Sequence, residues 1–200
     1  HLSEPDSQLR FSIDAASSPD GRWVVHSAPV GEREHLELHS LTTGAHRAIA
    51  RESRATLFAP AFSADGRRIA CLRITREQEE PEEDPLAELQ VMQWDGSDRR
   101  TVLKGIYSHL EPSFSPDGTQ LAYVTADRQI AVIPVDGGKP RLIINSSNWR
   151  AGESPLWSPD GQTLAADFRH ADYRGDLEED VHCVLWARLD GTASGALPSA

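Results

Sequence analysis

The 200 residues contain no apolar run near the roughly 18 that a helical membrane span needs. Several reaction signatures are missing as well. There is no His-Glu-x-x-His and no Cys-x-x-Cys. Gly152-Glu153-Ser154-Pro155-Leu156 lacks the second glycine of a nucleophile elbow. Asp136-Gly137-Gly138-Lys139 has no helix pattern after it, so it reads as a hairpin turn and not a phosphate loop. Lysine is nearly absent: 18 of the 20 basic residues are arginine. The net charge of −11 argues against nucleic acid and anionic membranes as partners.

One short phrase occurs four times: Ser17-Ser18-Pro19-Asp20-Gly21, Phe62-Ser63-Ala64-Asp65-Gly66, Phe114-Ser115-Pro116-Asp117-Gly118 and Trp157-Ser158-Pro159-Asp160-Gly161. The aspartates stand 45, 52 and 43 residues apart, a period typical of repeat architectures. Each phrase reads as a hairpin turn. Proline presets φ, aspartate bonds back to nearby amides, and glycine takes the positive φ. An apolar strand follows each phrase, as in Leu121-Ala122-Tyr123-Val124. A third strand and a second turn complete the pattern, and a fourth strand is readable in the first three units, at 47–50, 100–103 and 141–144. After the last turn, residues 192–200 are poor strand material. Four strands joined by tight turns make one propeller blade. A β-sandwich does not explain why the same words recur at the same place in each unit.

The expected fold is therefore all-β: one β-propeller domain of four four-stranded antiparallel blades, spanning about 14–57, 58–108, 109–151 and 152–200. It is either a closed four-bladed ring or part of a larger propeller. The alternating stretch Gln8–Ile13 is a candidate outer strand for the last blade, which would close the ring. If the ring is open, a homodimer across the terminal blades is expected. Cys71 and Cys183 fall on opposite blades of such a ring, beyond the roughly 7 Å Cα limit for a disulfide, and read as small buried residues.

The Phe-Ser-Pro-Asp-Gly phrase followed by Leu-Ala-Tyr resembles the repeat of TolB-type propellers. The propeller domains of tricorn-like and prolyl-oligopeptidase-like peptidases carry the same repeat. The likeness is strong at 62–72, 114–124 and 157–166 and weaker at 17–25, where Ser17 replaces an aromatic. It implies a bacterial protein, periplasmic or exported, that binds a protein or peptide without catalysis. The alternative it implies is the gating propeller of a prolyl-oligopeptidase-like serine peptidase, separated from its hydrolase domain. The chain opens at His1, which fits a leader or upstream domain removed from it.

The Asp-Gly turns lie on one face of a propeller and the variable loops on the other, where binding loops sit on a rigid scaffold. Two variable loops are acidic. Residues 76–85 include Glu79, Glu80, Glu82 and Glu83; residues 170–180 include Asp176, Glu178 and Glu179. Together these loops hold nine of the eleven net negative charges. The same face takes Tyr107, His109 and Glu111 from one loop and Trp149 and Arg150 from another. Tyr, Trp and Arg are enriched at interface hot spots, although Tyr107 and Trp149 equally suit the gaps between blades. Glu111 and Asp14 hold equivalent positions before their inner strands, where a side chain can face the central channel. The expected partner is a protein or peptide, basic in character. His35, Glu37 and His39 share one face of a strand, a zinc-like pattern. Leu36 and Leu38 fill the other face, so the segment reads as a half-polar strand. No metal and no cofactor are expected.

Overall fold

The computed structural model describes residues 14–30, 33–75, 86–170 and 182–198. They form strands and turns with no helix among them. Blade 1 contains β1 (Ala15–Ser17), β2 (Trp23–Val30), β3 (Arg33–Ser40) and β4 (His46–Ala50). Blade 2 contains β5 (Ala55–Phe62), β6 (Arg68–Thr75), β7 (Leu86–Gln93) and β8 (Arg100–Tyr107). Blade 3 contains β9 (Ser113–Phe114), β10 (Gln120–Val124), β11 (Ile130–Pro134) and β12 (Arg141–Ile144). In blade 4 the inner strand is split into β13 (Trp149–Ala151) and β14 (Leu156–Trp157). Both pair with β15 (Thr163–His170), followed by β16 (His182–Arg188) and β17 (Ser194–Pro198). Every strand pairing is antiparallel, and apart from β13 with β15 each joins neighbours in sequence.

The repeated phrase is a closed circuit of hydrogen bonds. In each copy the serine hydroxyl donates to the aspartate at 2.5–2.6 Å. The same serine oxygen accepts the amide five residues on, at 2.9–3.0 Å. The aspartate accepts the amide two residues on, at 3.0–3.1 Å. The glycine amide closes onto the serine carbonyl with φ of 68–69°. No β-carbon takes that φ cheaply. The circuit satisfies the turn by itself, which is why the words repeat.

Among the described residues three cores join the four blades. Val25, Leu36 and Leu38 of blade 1 meet Leu57, Ile69 and Cys71 of blade 2. Ala70, Leu72 and Leu89 meet Leu121, Tyr123 and Ile133 of blade 3. Ala122, Val124 and Val132 meet Leu164, Ala166 and Phe168 of blade 4. Strand side chains alternate, so β6 sends Ile69 and Cys71 one way and Ala70 and Leu72 the other. A strand buried on both faces needs a continuous apolar run, and β6 has one. Burying a side chain such as Leu72 contributes about 1.5–3 kcal/mol. Among the described residues no core joins blade 4 to blade 1. Cys71 and Cys183 are free and buried, and burial pushes the Cys71 thiol up to about 12.

One expectation is corrected. The segment after the last turn, read as poor strand material, forms β17 and pairs with β16 from Ala187↔Ser194 to Cys183↔Pro198. An outer strand is held by backbone hydrogen bonds, which small residues make as well as branched ones. The expected closing strand at 9–13 lies outside the described residues. The edge of β16 assigned to it is occupied by β17.

Candidate functional site

At the loop-rich end of the inner strands lies a cavity of about 760 Å³. Asp14 and Glu34 reach it from blade 1, Glu111 from blade 3 and Glu153 from blade 4, with His109 beside them. Phe58 and Leu156 give it apolar walls, and Leu156 is exposed. Among the described residues no lysine or arginine lines it. A second cavity of about 320 Å³ adjoins it, sharing Glu111, Ser154 and Leu156, and includes Pro60, Pro112 and Pro155.

The repeat builds this mouth. Asp14, Ala59, Glu111 and Ser154 each stand three residues before the first residue of their blade's phrase. In blade 2 the following Pro60 has no N–H for the ladder, and the pairing of β5 with β6 shifts between Phe58 and Ala61. Ala59 adopts a φ of 50° there. Its freed amide donates to Asp14 Oδ2 at 3.1 Å, tying blade 2 to blade 1. The equivalent tie between blades 3 and 4 runs from the Glu111 amide to Ser154 Oγ at 2.9 Å. Trp157 Nε1 adds a second, donating to the Ser113 carbonyl at 3.1 Å.

Two of the glutamates are disturbed by their surroundings. Loss of hydration against the cavity walls raises both Glu34 and Glu111 above the ordinary glutamate value, and the charge of Asp14 raises them further. Two acids held up in this way favour a proton, or a cation in its place.

The residues singled out in the sequence are placed unevenly. His109 and Glu111 line the mouth. Tyr107 is buried in the core between blades 3 and 4, with the Arg128 guanidinium 5.0 Å over its ring. It fills the inter-blade gap, the second of the two roles considered for it. Trp149 packs on the same core and meets His170 edge-on at 5.2 Å. Arg150 Nη1 donates to the carbonyls of Ser146, Ser147 and Trp149 at 3.3–3.4 Å, bracing its own loop. Glu79, Glu80, Glu82, Glu83, Asp176, Glu178 and Glu179 lie outside the described residues. Glu34 was not foreseen. It is the second residue of β3, and nothing in the repeat marks that position as axial. Glu153 belongs to a loop singled out in the sequence, but only the cavity distinguishes it.

No protein-family model matches the sequence. Solved structures do match. TolB from Acinetobacter baumannii superposes with a TM-score of 0.65 at 20% identity, over 94% of this chain and 43% of that one. An oligogalacturonate lyase from Vibrio parahaemolyticus gives 0.68 at 14% identity, over 90% and 51%. The β-propeller domain of the Trilobed protease from Pyrococcus furiosus gives 0.62 at 15% identity, over 92% and 56%. The chain thus spans about half the length of these structures. At such identity the likeness carries the fold alone, a β-propeller.

Proposed function

We propose that the chain is a non-enzymatic binding module that takes a lysine- or arginine-bearing peptide segment at its acidic axial mouth. The observation that carries this is the gathering of Asp14, Glu34, Glu111 and Glu153 around one cavity that no lysine or arginine lines among the described residues. A guanidinium or ammonium group there favours the ionised form of Glu34 and Glu111, which loss of hydration and then the charge of Asp14 raise. Phe58 and Leu156 offer apolar surface to the stem of the same side chain. The acidic loops at 76–85 and 170–180 speed encounter with such a partner, and salt weakens that steering. The resemblance to TolB-type propellers supports a periplasmic or exported setting.

A second reading is the propeller of a larger peptidase. It rests on the likeness to the Trilobed protease propeller and on the half-length match. In it the mouth admits substrate to a hydrolase domain. An oligogalacturonate-like ligand is disfavoured, because a polyanionic sugar meets four carboxylates.

The test is fluorescence polarisation with an Arg/Lys-rich peptide and an acidic peptide of equal length. The basic peptide is expected to bind selectively. The Glu111→Gln/Glu153→Gln variant is expected to lose roughly tenfold or more in affinity. Glu79, Glu80, Glu82 and Glu83 changed together to Gln are expected to slow association and flatten its salt dependence. Equal binding of both peptides, or no loss in the mouth variant, would reject the mouth as the site. Peptide hydrolysis by the chain, lost on changing Glu111 or His109, would overturn the non-enzymatic reading.

A further inference from the structure

Blade 1 buries one face of its sheet on blade 2 through Val25, Leu36 and Leu38. Alternation therefore puts Glu37 and His39 of β3 on the opposite face. The sequence pattern there ended at three residues of one strand. Strand register adds two more imidazoles. His26 of β2 stands opposite Glu37, and His46 of β4 stands opposite His39. The rings of His26 and His39 have centroids 4.8 Å apart; His39 and His46 stack at 4.9 Å and 14°. One ligand atom from each of His26, Glu37 and His39 lies within 4.8 Å of the other two.

We propose that His26, Glu37 and His39 form a binding site for a first-row divalent cation, zinc foremost. This departs from the expectation that the strand is merely half-polar. Three features of the cluster support it, beyond proximity.

His26 is oriented. Its Nδ1 lies 2.8 Å from the Ser27 carbonyl, which can only accept, so Nδ1 carries the proton. In the neutral ring Nε2 then keeps its lone pair. A backbone carbonyl behind an imidazole is the common outer partner of a metal-binding histidine. Glu37 is oriented too. His35, almost fully buried, sets Nε2 3.0 Å from Glu37 Oε1. That leaves Oε2 turned toward His39, 3.5 Å from its Nε2. Third, His39 Nε2 is buried from solvent, and its contact with Glu37 Oε2 at 3.5 Å is too long for a good hydrogen bond. A buried polar nitrogen so weakly satisfied is costly, and a cation between the two groups removes the cost.

The donor set selects the metal class. Imidazole suits zinc, copper and nickel, whereas calcium and magnesium want oxygen. A tetrahedral zinc with bonds of about 2.0–2.1 Å holds its ligands about 3.4 Å apart. Small χ rotations on a stiff sheet reach that spacing from the one observed. Two imidazoles and one carboxylate leave a fourth position, which a water fills. The bound ion clips β2 to β3 on the face of blade 1 turned away from its neighbour.

The test is titration of the EDTA-stripped chain with zinc chloride, by calorimetry, and with cobalt chloride, by visible absorption. One equivalent per chain and the absorption bands of tetrahedral cobalt are expected. His26→Gln, Glu37→Gln and His39→Gln should each weaken binding by at least roughly tenfold, since losing even an outer partner costs that much. His170→Gln, on blade 4, should leave it unchanged. In the wild-type chain zinc should shift the imidazole resonances of His26 and His39 and leave those of His170 in place, a readout that needs no variant to fold. No saturable binding, or binding that survives both histidine substitutions, would overturn the site and leave a hydrogen-bonded His/Glu surface.

Discussion

Gly96 abuts the backbone of Ile49: a β-carbon at position 96 would lie 2.2 Å from the Ile49 carbonyl oxygen. The turn of blade 2 thereby seats directly on β4 of blade 1, at a φ of 89° that other residues rarely adopt. Gly96→Ala meets both the strain and an immovable backbone atom. It is expected to destabilise the protein by about 2–4 kcal/mol. Gly44 has a similar φ of 71° but open space around it. Gly44→Ala is expected to cost only about 1 kcal/mol. Urea melts of the two variants check the contrast; equal losses would remove the packing argument.

Asp14 has two effects at the mouth, and they separate by substitution. Asp14→Ala leaves the buried Ala59 amide without its acceptor and is expected to cost about 1–3 kcal/mol. Asp14→Asn keeps an acceptor oxygen and removes the charge. It should change stability less and lower the titration points of Glu34 and Glu111, which Asp14 raises. Carbon-detected NMR titration of the carboxyls reads this. Unmoved glutamates would show that the three do not share one field.

The raised glutamates also predict a cost of function. A carboxyl whose folded value lies above its unfolded one opposes folding where it must be ionised. Glu111→Gln is therefore expected to raise Tm at pH 7. The gain should shrink as the pH falls through the folded value toward 4.5 and the native glutamate takes up its proton. A variant less stable at pH 7 would contradict the electrostatic reading of the mouth.

Blade 2 responds to acid in the opposite direction. Arg73 reaches Glu52 through Nε at 3.0–3.1 Å and Nη2 at 2.7 Å, and Arg99 adds a contact at 2.9 Å. The Arg73 hydrogen bonds hold Glu52 below its ordinary 4.5. Burial alone would raise Glu88, but Lys104, Thr101 and Arg73 together bring it down. Depressed carboxyls contribute stability that is fully present above 4.5 and lost as the pH falls through their folded values. Glu52→Gln is expected to cost about 1–3 kcal/mol at pH 7 and progressively less below pH 4. Thermal melts across pH 3–7 test this, and a constant difference would reject the linkage.

Gly195 faces the indole of Trp186, where a β-carbon would come within 2.9 Å of Nε1. Gly195→Val should displace the indole or loosen β17. Faster amide exchange at Ser194–Leu197, with blade 2 unaffected, is the expected result. Uniform exchange across the chain would mean that this strand is not a separate unit.

The turns were legible because they are local. Ser115, Asp117 and Gly118 satisfy one another within a few residues, so composition and spacing alone specify the hairpin, and four copies specify four blades. The burial of Ile69, Ala70, Cys71 and Leu72 on both faces of the sheet was likewise written in one apolar run. β17 escaped notice because its stability comes from the ladder with β16 and from the fit of Gly195 to Trp186, neither of which propensity reports.

What the sequence determined by itself was thus the blade: turn chemistry, strand period and the repeat that multiplies them. What only the tertiary structure decided was which distant residues share space. Asp14, Glu34, Glu111 and Glu153 come from three blades, and their meeting depends on the blades' rotation about an axis that no window of sequence contains. His26 joins Glu37 and His39 through the register of β2 on β3, a pairing set by the hairpin between them and the apolar face beneath it. Local rules fix how a chain turns; only packing fixes which side chains end up close enough to act together.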